Sequence, residues 1–467
     1  PYEAVYRRGL ALAAELGDAG AALGFSEHRR AQWLTHGLTA QTGRPAVRPE
    51  LDELSQLLRR RRAMAERLHT PGAEIDPEGL AALRRATEEV ERRYATLDAQ
   101  TMFDPAHAGT LRDSRPLAGP AGLRAAFSAA FGPAWAAVSL DPLDETGERW
   151  ELIRLTGDTL TARVLEAGTD ERPLLRALAA KDPAFRRRFF GEARVRDRAL
   201  ARLSDWLGAS AWAQDTPTPS TLLIADAAGL AAFPFAALPI GSGARLGERA
   251  ILRFAPSLNV AALLCARPAP APGRPALIVC PLDFEGRHRP LPESAAEVAA
   301  VAEAWPGATV LRGEHATLGA LRGLADQGAL ARFDRLYFAT HGIADGEHAR
   351  MSGLALRDGD LTLQEILGWS LDARLVVVAA CEGAFHVDAG GEERIGLETA
   401  LLAAGARATL SARWPVADAA AAILLPRIAH GFATHGDAAL ALHHAGQACA
   451  GALPDADRLA WRVLGHG

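Results

Sequence analysis

The sequence predicts an α/β protein: a mostly parallel sheet flanked by helices, preceded by an α-helical region and a small mixed α/β segment. Three observations predict it. From Thr221 onward, short strand-like runs alternate with helical stretches, the order that builds a layered α/β sheet. Two of those runs, Asp334 to Thr340 and Arg374 to Ala380, are rich in β-branched, aromatic and aliphatic residues and are bounded by glycine. Strands buried on both faces of a parallel sheet read this way. The segment between them is long enough for a crossover, so the two can lie parallel.

In such sheets reactive groups gather just past the carboxyl ends of strands. The first run stops at His341-Gly342 and the second at Cys381-Glu382-Gly383. A thiol near an imidazole is the minimal kit for acyl transfer, because the base raises the thiolate fraction and the thiolate attacks a carbonyl. Either residue alone reads as a core or edge residue. Together, at equivalent ends of matched strands, they form the candidate site.

The 467 residues predict two or three domains. A net charge of -5 with no global basic excess argues against nucleic acid as a partner. Lys181 is the sole lysine, and the Arg- and Ala-rich composition matches a high-GC bacterial genome. The cysteines, Cys265, Cys280, Cys381 and Cys449, form no Cys-x-x-Cys pair, so neither a zinc ribbon nor a disulfide framework is expected. Cys265, Cys280 and Cys449 read as small buried hydrophobes. The adjacent pair His443-His444 points in two directions on a helix and predicts no metal. No cofactor is expected. A reducing cytoplasm is the simplest setting, with no membrane span and no signal peptide. The chain begins at Pro1 inside a helical pattern and reads as a fragment or processed product.

In chain order, residues 1–122 read as a helical region. Ala4, Leu10, Ala13, Ala14 and Leu16 give the first helix its contacts, Gly17-Asp18 punctuates, and a second helix runs from Ala21 to His36. The pair fits either a plain hairpin or the last unit of a helical repeat array. Leu51 to Leu68 is a helix whose run Arg59 to Arg62 reads as a solvated face. Gly79 to Ala99 is another helix, and 104–122 is loop-rich. Residues 123–215 hold strands at Trp135 to Leu140, Trp150 to Leu155 and Thr159 to Leu165, then an Arg-rich helical stretch from Leu174 to Leu207 broken near Pro183. Thr216-Pro217-Thr218-Pro219 reads as a linker.

Residues 220–467 form the third unit. Strands are expected at Thr221 to Ala225, Ala250 to Phe254, Ala276 to Cys280, Thr309 to Leu311 and Ala406 to Ser411, besides the His341 and Cys381 strands. Helices are expected at Ser257 to Cys265 (capped by Ser257), Pro292 to Ala304, Thr317 to Gln327, Thr362 to Leu367 and Gly396 to Ala404. Leu354 to Asp360 reads as a hairpin. Asp418 to Phe432 and Asp437 to Ala450 are the closing helices.

Within this unit stand Phe233-Pro234-Phe235-Ala236-Ala237-Leu238, Leu291-Pro292-Glu293-Ser294 with Glu297-Val298, and Tyr337-Phe338-Ala339-Thr340-His341-Gly342. Ser352-Gly353-Leu354, Leu375 to Glu382, and Trp414-Pro415-Val416 with Asp418 follow. Their order and spacing resemble the CHAT domain, a caspase-like module often found behind tetratricopeptide repeats in bacteria. The run Ala380-Cys381-Glu382-Gly383 also keeps the core of the caspase signature, without its leading Gln. On this resemblance 123–215 is a spacer and the N-terminal helices end a repeat array. The resemblance implies a cysteine endopeptidase with Cys381 as nucleophile and His341 as general acid/base. The main-chain N–H groups of Gly342 and Cys381 would stabilise the oxyanion, and Gly342 suits an approaching backbone. It also implies a regulated, sequence-specific protease acting in a programmed response such as antiviral defence. Apart from the resemblance, the glycine- and charge-rich loop 382–395 is expected to be held unproductive by the N-terminal helical region until a protein partner binds. Ala379 stands where the family usually has Ser, Gly383-Ala384-Phe385 where it often has Thr-Gly, and Arg413 where it has an aliphatic residue.

Two rival readings are an inert caspase-like scaffold acting as a binding module and a thioesterase or acyltransferase. An inert scaffold is expected to lose one of His341 and Cys381, and this chain keeps both. No carrier or cofactor motif supports the second rival. For the substrate pocket, the loop after the cysteine offers Glu382, Asp388, Glu392 and Glu393, and the next strand and its exit offer Arg413, Trp414 and Asp418. Asp388 or Asp418 in the pocket predicts a basic residue before the cut, Arg413 an acidic one, Trp414 an apolar one. The structural alternatives are Asp418 as the N-cap of its helix and Arg413 facing outward.

Overall fold

The protein is described here by a computed structural model covering residues 2–30, 34, 48–68, 77–102, 118–179, 189, 192–214, 220–225, 230, 233–241, 243–271, 273–291, 293–343, 348, 351–380, 386–388 and 394–467. Its strands are β1 (Trp135–Pro142), β2 (Arg149–Thr156), β3 (Leu160–Glu166), β4 (Ser220–Ala225), β5 (Pro239–Ile240), β6 (Ala244–Arg245), β7 (Ala250–Ala255), β8 (Ala276–Cys280), β9 (Thr309–Arg312), β10 (Arg335–Ala339), β11 (Gly342–Ile343), β12 (Gly353–Ala355), β13 (Asp360–Thr362), β14 (Leu375–Ala379), β15 (His386–Asp388), β16 (Arg394–Gly396), β17 (Ala408–Ala412) and β18 (Trp461–Gly465). Eleven of them form one sheet in the order β3-β2-β1-β4-β7-β18-β17-β14-β10-β8-β9. The pairings from β1 through β4 and β7 to β18, and from β17 through β14, β10 and β8 to β9, are parallel. Among the described pairings of this sheet, β17–β18 and the β1–β2–β3 meander are antiparallel. The mostly parallel sheet expected from the sequence is present.

The apolar strands explain its burial. In β10, Tyr337 and Ala339 pack into one core with Val377 of β14 and the helix Asp418–His435. Leu336 and Phe338 point into a second core with Val376 and Val378, the helix Leu318–Asp326 and the helix Leu397–Ala404. Residues along a strand alternate faces, so a strand apolar at every position needs helices on both sides. The caps follow the sequence: Ser257 accepts from Val260 N–H, Thr317 from Ala320 N–H, and Asp437 from Leu440 N–H.

The sheet continues across the expected linker, because β1 pairs in parallel with β4. Thr216 to Pro219 themselves lie outside the described residues. The N-terminal helices Tyr2–Leu16 and Ala19–Arg29 cover this end of the sheet through Leu10, Ala13, Ala22 and Leu23. Buried polar groups fix them. The Glu27 carboxylate accepts from Leu258 and Asn259 N–H, capping the helix Leu258–Ala266 from a distance in sequence. The Arg30 guanidinium donates to Asp141 at 2.9 Å.

Several expectations need correction. The second helix stops at Arg29 rather than His36, with Arg30 extended so that its side chain turns in to Asp141. A helix at Pro120–Phe131 was not expected, and the break near Pro183 lies outside the described residues. The run Arg59 to Arg62 is not wholly solvated, since Arg59 donates to Asp360 at 3.2 Å. The segment 382–395 is not simply loop, as β15 and β16 pair within it. The C-terminal strand β18, not expected from the sequence, sits in the middle of the sheet. No helix among the described residues is long and apolar enough to cross a membrane.

Candidate active site

The strands β10 and β14 lie side by side, parallel, in a register that pairs Ala339 with Ala379. His341 follows Ala339 by two residues, and Cys381 follows Ala379 by two residues in the sequence. Cys381 and Glu382 lie outside the described residues, as does the second half of the implied oxyanion site.

The chain turns sharply at His341. Thr340 Oγ1 donates to the Ala355 carbonyl, and Ala355 N–H donates to the His341 carbonyl at 2.9 Å. His341 and Ala355 are therefore a hydrogen-bonded pair of the β11–β12 ladder. The next pair, Gly342 with Leu354, is a non-hydrogen-bonded one. At such a position the Gly342 N–H is directed away from β12, where it can serve an outside acceptor.

Three groups hold the His341 ring. Nε2 lies 2.6 Å from the Arg289 carbonyl oxygen. A carbonyl only accepts, so Nε2 carries a proton, and in the neutral form of the ring the lone pair lies on Nδ1. The Phe284 ring packs against His341 at 5.0 Å between centroids, and His288 at 5.8 Å. Phe284, His288 and Arg289 all belong to the loop after β8. Two non-glycine residues of that loop, Leu282 at φ 61° and Glu285 at φ 53°, sit in the left-handed region. Such conformations persist only where surrounding structure enforces them and are common at functional sites.

A cavity of about 310 Å³ opens beside His341, with Ala379 and Ala380 on the β14 side. Among the described residues, its ionisable lining is Glu293, Glu297 and Asp418, with the guanidinium of Arg289, besides His341. Glu297 is 5% exposed, and Tyr337 donates its hydroxyl proton to it at 2.7 Å. Burial pushes this carboxyl up to about 7, against the pull of the Tyr337 bond, and the charge of Asp418 adds to the rise.

The pocket residues suggested by sequence divide. Asp418 lines the cavity, but in the first turn of its helix. Ala417 holds the N-cap position, so the capping alternative is wrong. Arg413 is neither in this cavity nor outward-facing. It is 7% exposed, donates to the Phe233 carbonyl, and stacks over the Phe254 ring at 4.1 Å. β17 ends at Ala412, so the alternation of faces along a strand does not reach Arg413. Trp414 is 2% exposed and donates Nε1–H to the Ala456 carbonyl at 2.7 Å, so it belongs to the core rather than the pocket. Asp388 closes β15 opposite Arg394. The remaining thiols fit a structural role. Burial pushes Cys280 up to about 12 and Cys265 up to about 11. No group of three or more His, Cys, Asp or Glu able to hold a metal occurs among the described residues.

A large, mostly parallel sheet between helices, with a histidine just past an interior strand and a cavity beside it, is a fold of the cysteine-protease type. The CHAT domain model matches residues 197–461, more than half of the chain, and the protein belongs to the CHAT domain family. Among solved structures, the chain is similar to Saccharomyces cerevisiae separase in its complex with securin. One such structure has a TM-score of 0.49 and 11% identity, covering 97% of this chain and 42% of that chain. A second gives 0.47 and 11%, covering 97% and 41%. This chain thus spans about two fifths of the separase chain it matches. No curated protein matches.

Proposed function

We propose that the protein is a cysteine endopeptidase in which Cys381 attacks the peptide carbonyl and His341 moves the proton. The observation that supports this best is the Arg289 carbonyl on His341 Nε2, because it leaves Nδ1 as the basic atom at the end of β10. The imidazole accepts the thiol proton at Nδ1, the thiolate adds to the carbonyl carbon, and the same proton passes to the leaving amine. Water then hydrolyses the thioester, with His341 as base. The Gly342 N–H, turned away from β12, would donate to the oxyanion with that of Cys381. The cavity's carboxyl groups favour a basic side chain before the cut, held by Asp418 and Glu297. A protein substrate and an activating partner acting through the N-terminal helices complete the reading.

The test is an unbiased cleavage profile of bacterial lysate with wild-type, Cys381→Ala and His341→Ala proteins. Both variants should lose every cleavage made by the wild type while melting at the wild-type temperature. Cleavage by Cys381→Ala at the wild-type rate would sink the assignment.

A further inference from the structure

A second cavity, sharing Trp461 with the first, lies between β7, β18, the helix Ala438–Ala448 and the turn at 245–248. Its volume is about 60 Å³, room for roughly four to six waters at 10–15 Å³ each. Its walls are apolar, with Leu252, Phe254 and Leu459, but its charged lining is cationic: Arg245, Arg413 and Arg458 against Glu248 alone. Glu248 is already engaged, accepting from Arg245 N–H at 2.9 Å. Asp455, just outside, is shared by Arg458 at 2.9 Å, Arg245 at 3.1 Å and Arg196 at 3.8 Å, so one carboxylate serves three guanidinium groups.

The donors are also in surplus. Arg245 Nη1, Arg458 Nε and Trp461 Nε1 are buried with no hydrogen-bond partner among the described residues. Arg458 is 8% and Trp461 5% exposed. A buried donor without an acceptor costs about 1–3 kcal/mol, and positive charge in a confined apolar site costs more unless an anion joins it. The rim is reachable: Gln447 and Glu248 are exposed there, bridged by Gln447 Nε2–H donating to the Glu248 carbonyl at 3.2 Å.

We infer that this cavity binds a small oxyanion, a phosphate or carboxylate group, held by Arg245, Arg458 and Trp461 Nε1. The inference is independent of catalysis by Cys381. It bears on the first cavity because Trp461 lines both, and Ala412, the residue before Arg413, lines the first. An anion seated here would stiffen the wall of the substrate cavity.

The experiment is thermal unfolding of the full chain in rising sodium phosphate and, separately, sodium butyrate, with ionic strength held constant by sodium chloride. A ligand that binds only the folded state raises the melting temperature saturably. At least one of the two anions should do so beyond chloride, and which one identifies the group. Arg245→Gln removes a charge-assisted donor and should weaken apparent affinity about tenfold, and Arg245→Lys should recover part of it. Should Arg245→Gln fail to unfold cooperatively, Trp461→Phe, which deletes one donor and keeps a ring, is read in its place. No saturable rise over chloride with either anion, or unchanged affinity in the variant read, overturns the inference.

Discussion

Replacing Glu297 by glutamine should stabilise the protein at alkaline pH and leave it nearly unchanged in acid. The carboxyl is 5% exposed, and its pKa is pushed from 4.5 up to about 7, chiefly by burial. Between those values the folded protein keeps a proton that the unfolded chain has released. Stability therefore falls as pH rises from about 4.5 to 7 and stays low above it. The cost corresponds to about 3 kcal/mol at pH 8, using about 1.4 kcal/mol per pH unit, and is an upper figure for a group at a cavity wall. Glutamine pays none of this and still accepts from the Tyr337 hydroxyl, whose bond to Glu297 spans 2.7 Å. Urea unfolding of both proteins at pH 5 and pH 8 would show the difference as a shift in midpoint at constant slope. Glu151, also pushed up to about 7 by burial and by Asp141, acts equally in both proteins and cancels. If the variant is the less stable of the two at pH 8, the carboxylate is compensated in the fold and the reasoning fails. Cleavage should move the other way: with one carboxylate gone, KM for basic peptides rises, a stability gain bought with function.

Other outcomes follow from the same geometry. A panel of fluorogenic peptides differing only before the cut should favour Arg or Lys, and Asp418→Asn should lower that preference roughly tenfold; a preference for Asp refutes the assignment of the pocket. An alkylating peptide electrophile at pH 8 should label Cys381 ahead of Cys265 and Cys280, whose high pKa values (about 11 and about 12) leave on the order of one thiolate in a thousand or fewer; mass spectrometry locates the adduct. Arg413→Ala should lower stability by about 2–3 kcal/mol without changing peptide preference, since it strips a buried carbonyl of its donor. Arg59→Ala removes one of the cations on Asp360 and should change basal cleavage or the response to an activator with little change in melting temperature; unchanged behaviour in both would exclude coupling through this contact.

What the sequence made legible depends on whether chemistry or position carried the signal. The strands β10 and β14 announce themselves because burial on both faces leaves an apolar run from Leu336 to Ala339 and from Leu375 to Ala379, and His341 follows just past the first. The groups that orient His341 leave no such mark. The Arg289 carbonyl could belong to any residue, and only the Leu291-to-Val298 motif just beyond it hinted that the loop mattered. Glu297 was visible in that motif, but its burial against Tyr337 depends on how the helix Ser294–Ala304 packs. Arg413 and Trp414 were misplaced because strand alternation ends at Ala412, where the chain leaves the sheet. β18 is five residues long behind a short helical turn, and its central place is set by partners far away in the chain.

The contacts of the N-terminal helices bear on how such a protease would be controlled. The sequence directed attention to the segment after Cys381. The helices Arg48–Leu68 and Pro77–Met102 instead meet the chain that follows His341. Leu51, Leu54, Leu58 and Val90 close over Met351, and Tyr94 packs edge-on against the buried His348 ring at 4.6 Å. Arg322 joins Asp52 of the first helix to Glu365, with closest approaches of 2.7 Å to each. Asp360, in β13, takes Arg59 from the helices on one side and Arg287, at 2.9 Å, on the other. Burial alone would raise Asp360, but His288, Arg59 and Arg287 outweigh it and hold its carboxyl below the ordinary value. Arg287 lies two residues before Arg289, whose carbonyl fixes the tautomer of His341. A change in how the helices seat is thus two short steps, Asp360 and the Arg287–Arg289 turn, from the basic nitrogen. Acid–base catalysis is sensitive to displacements well under the width of an atom, so control through the base needs no large motion.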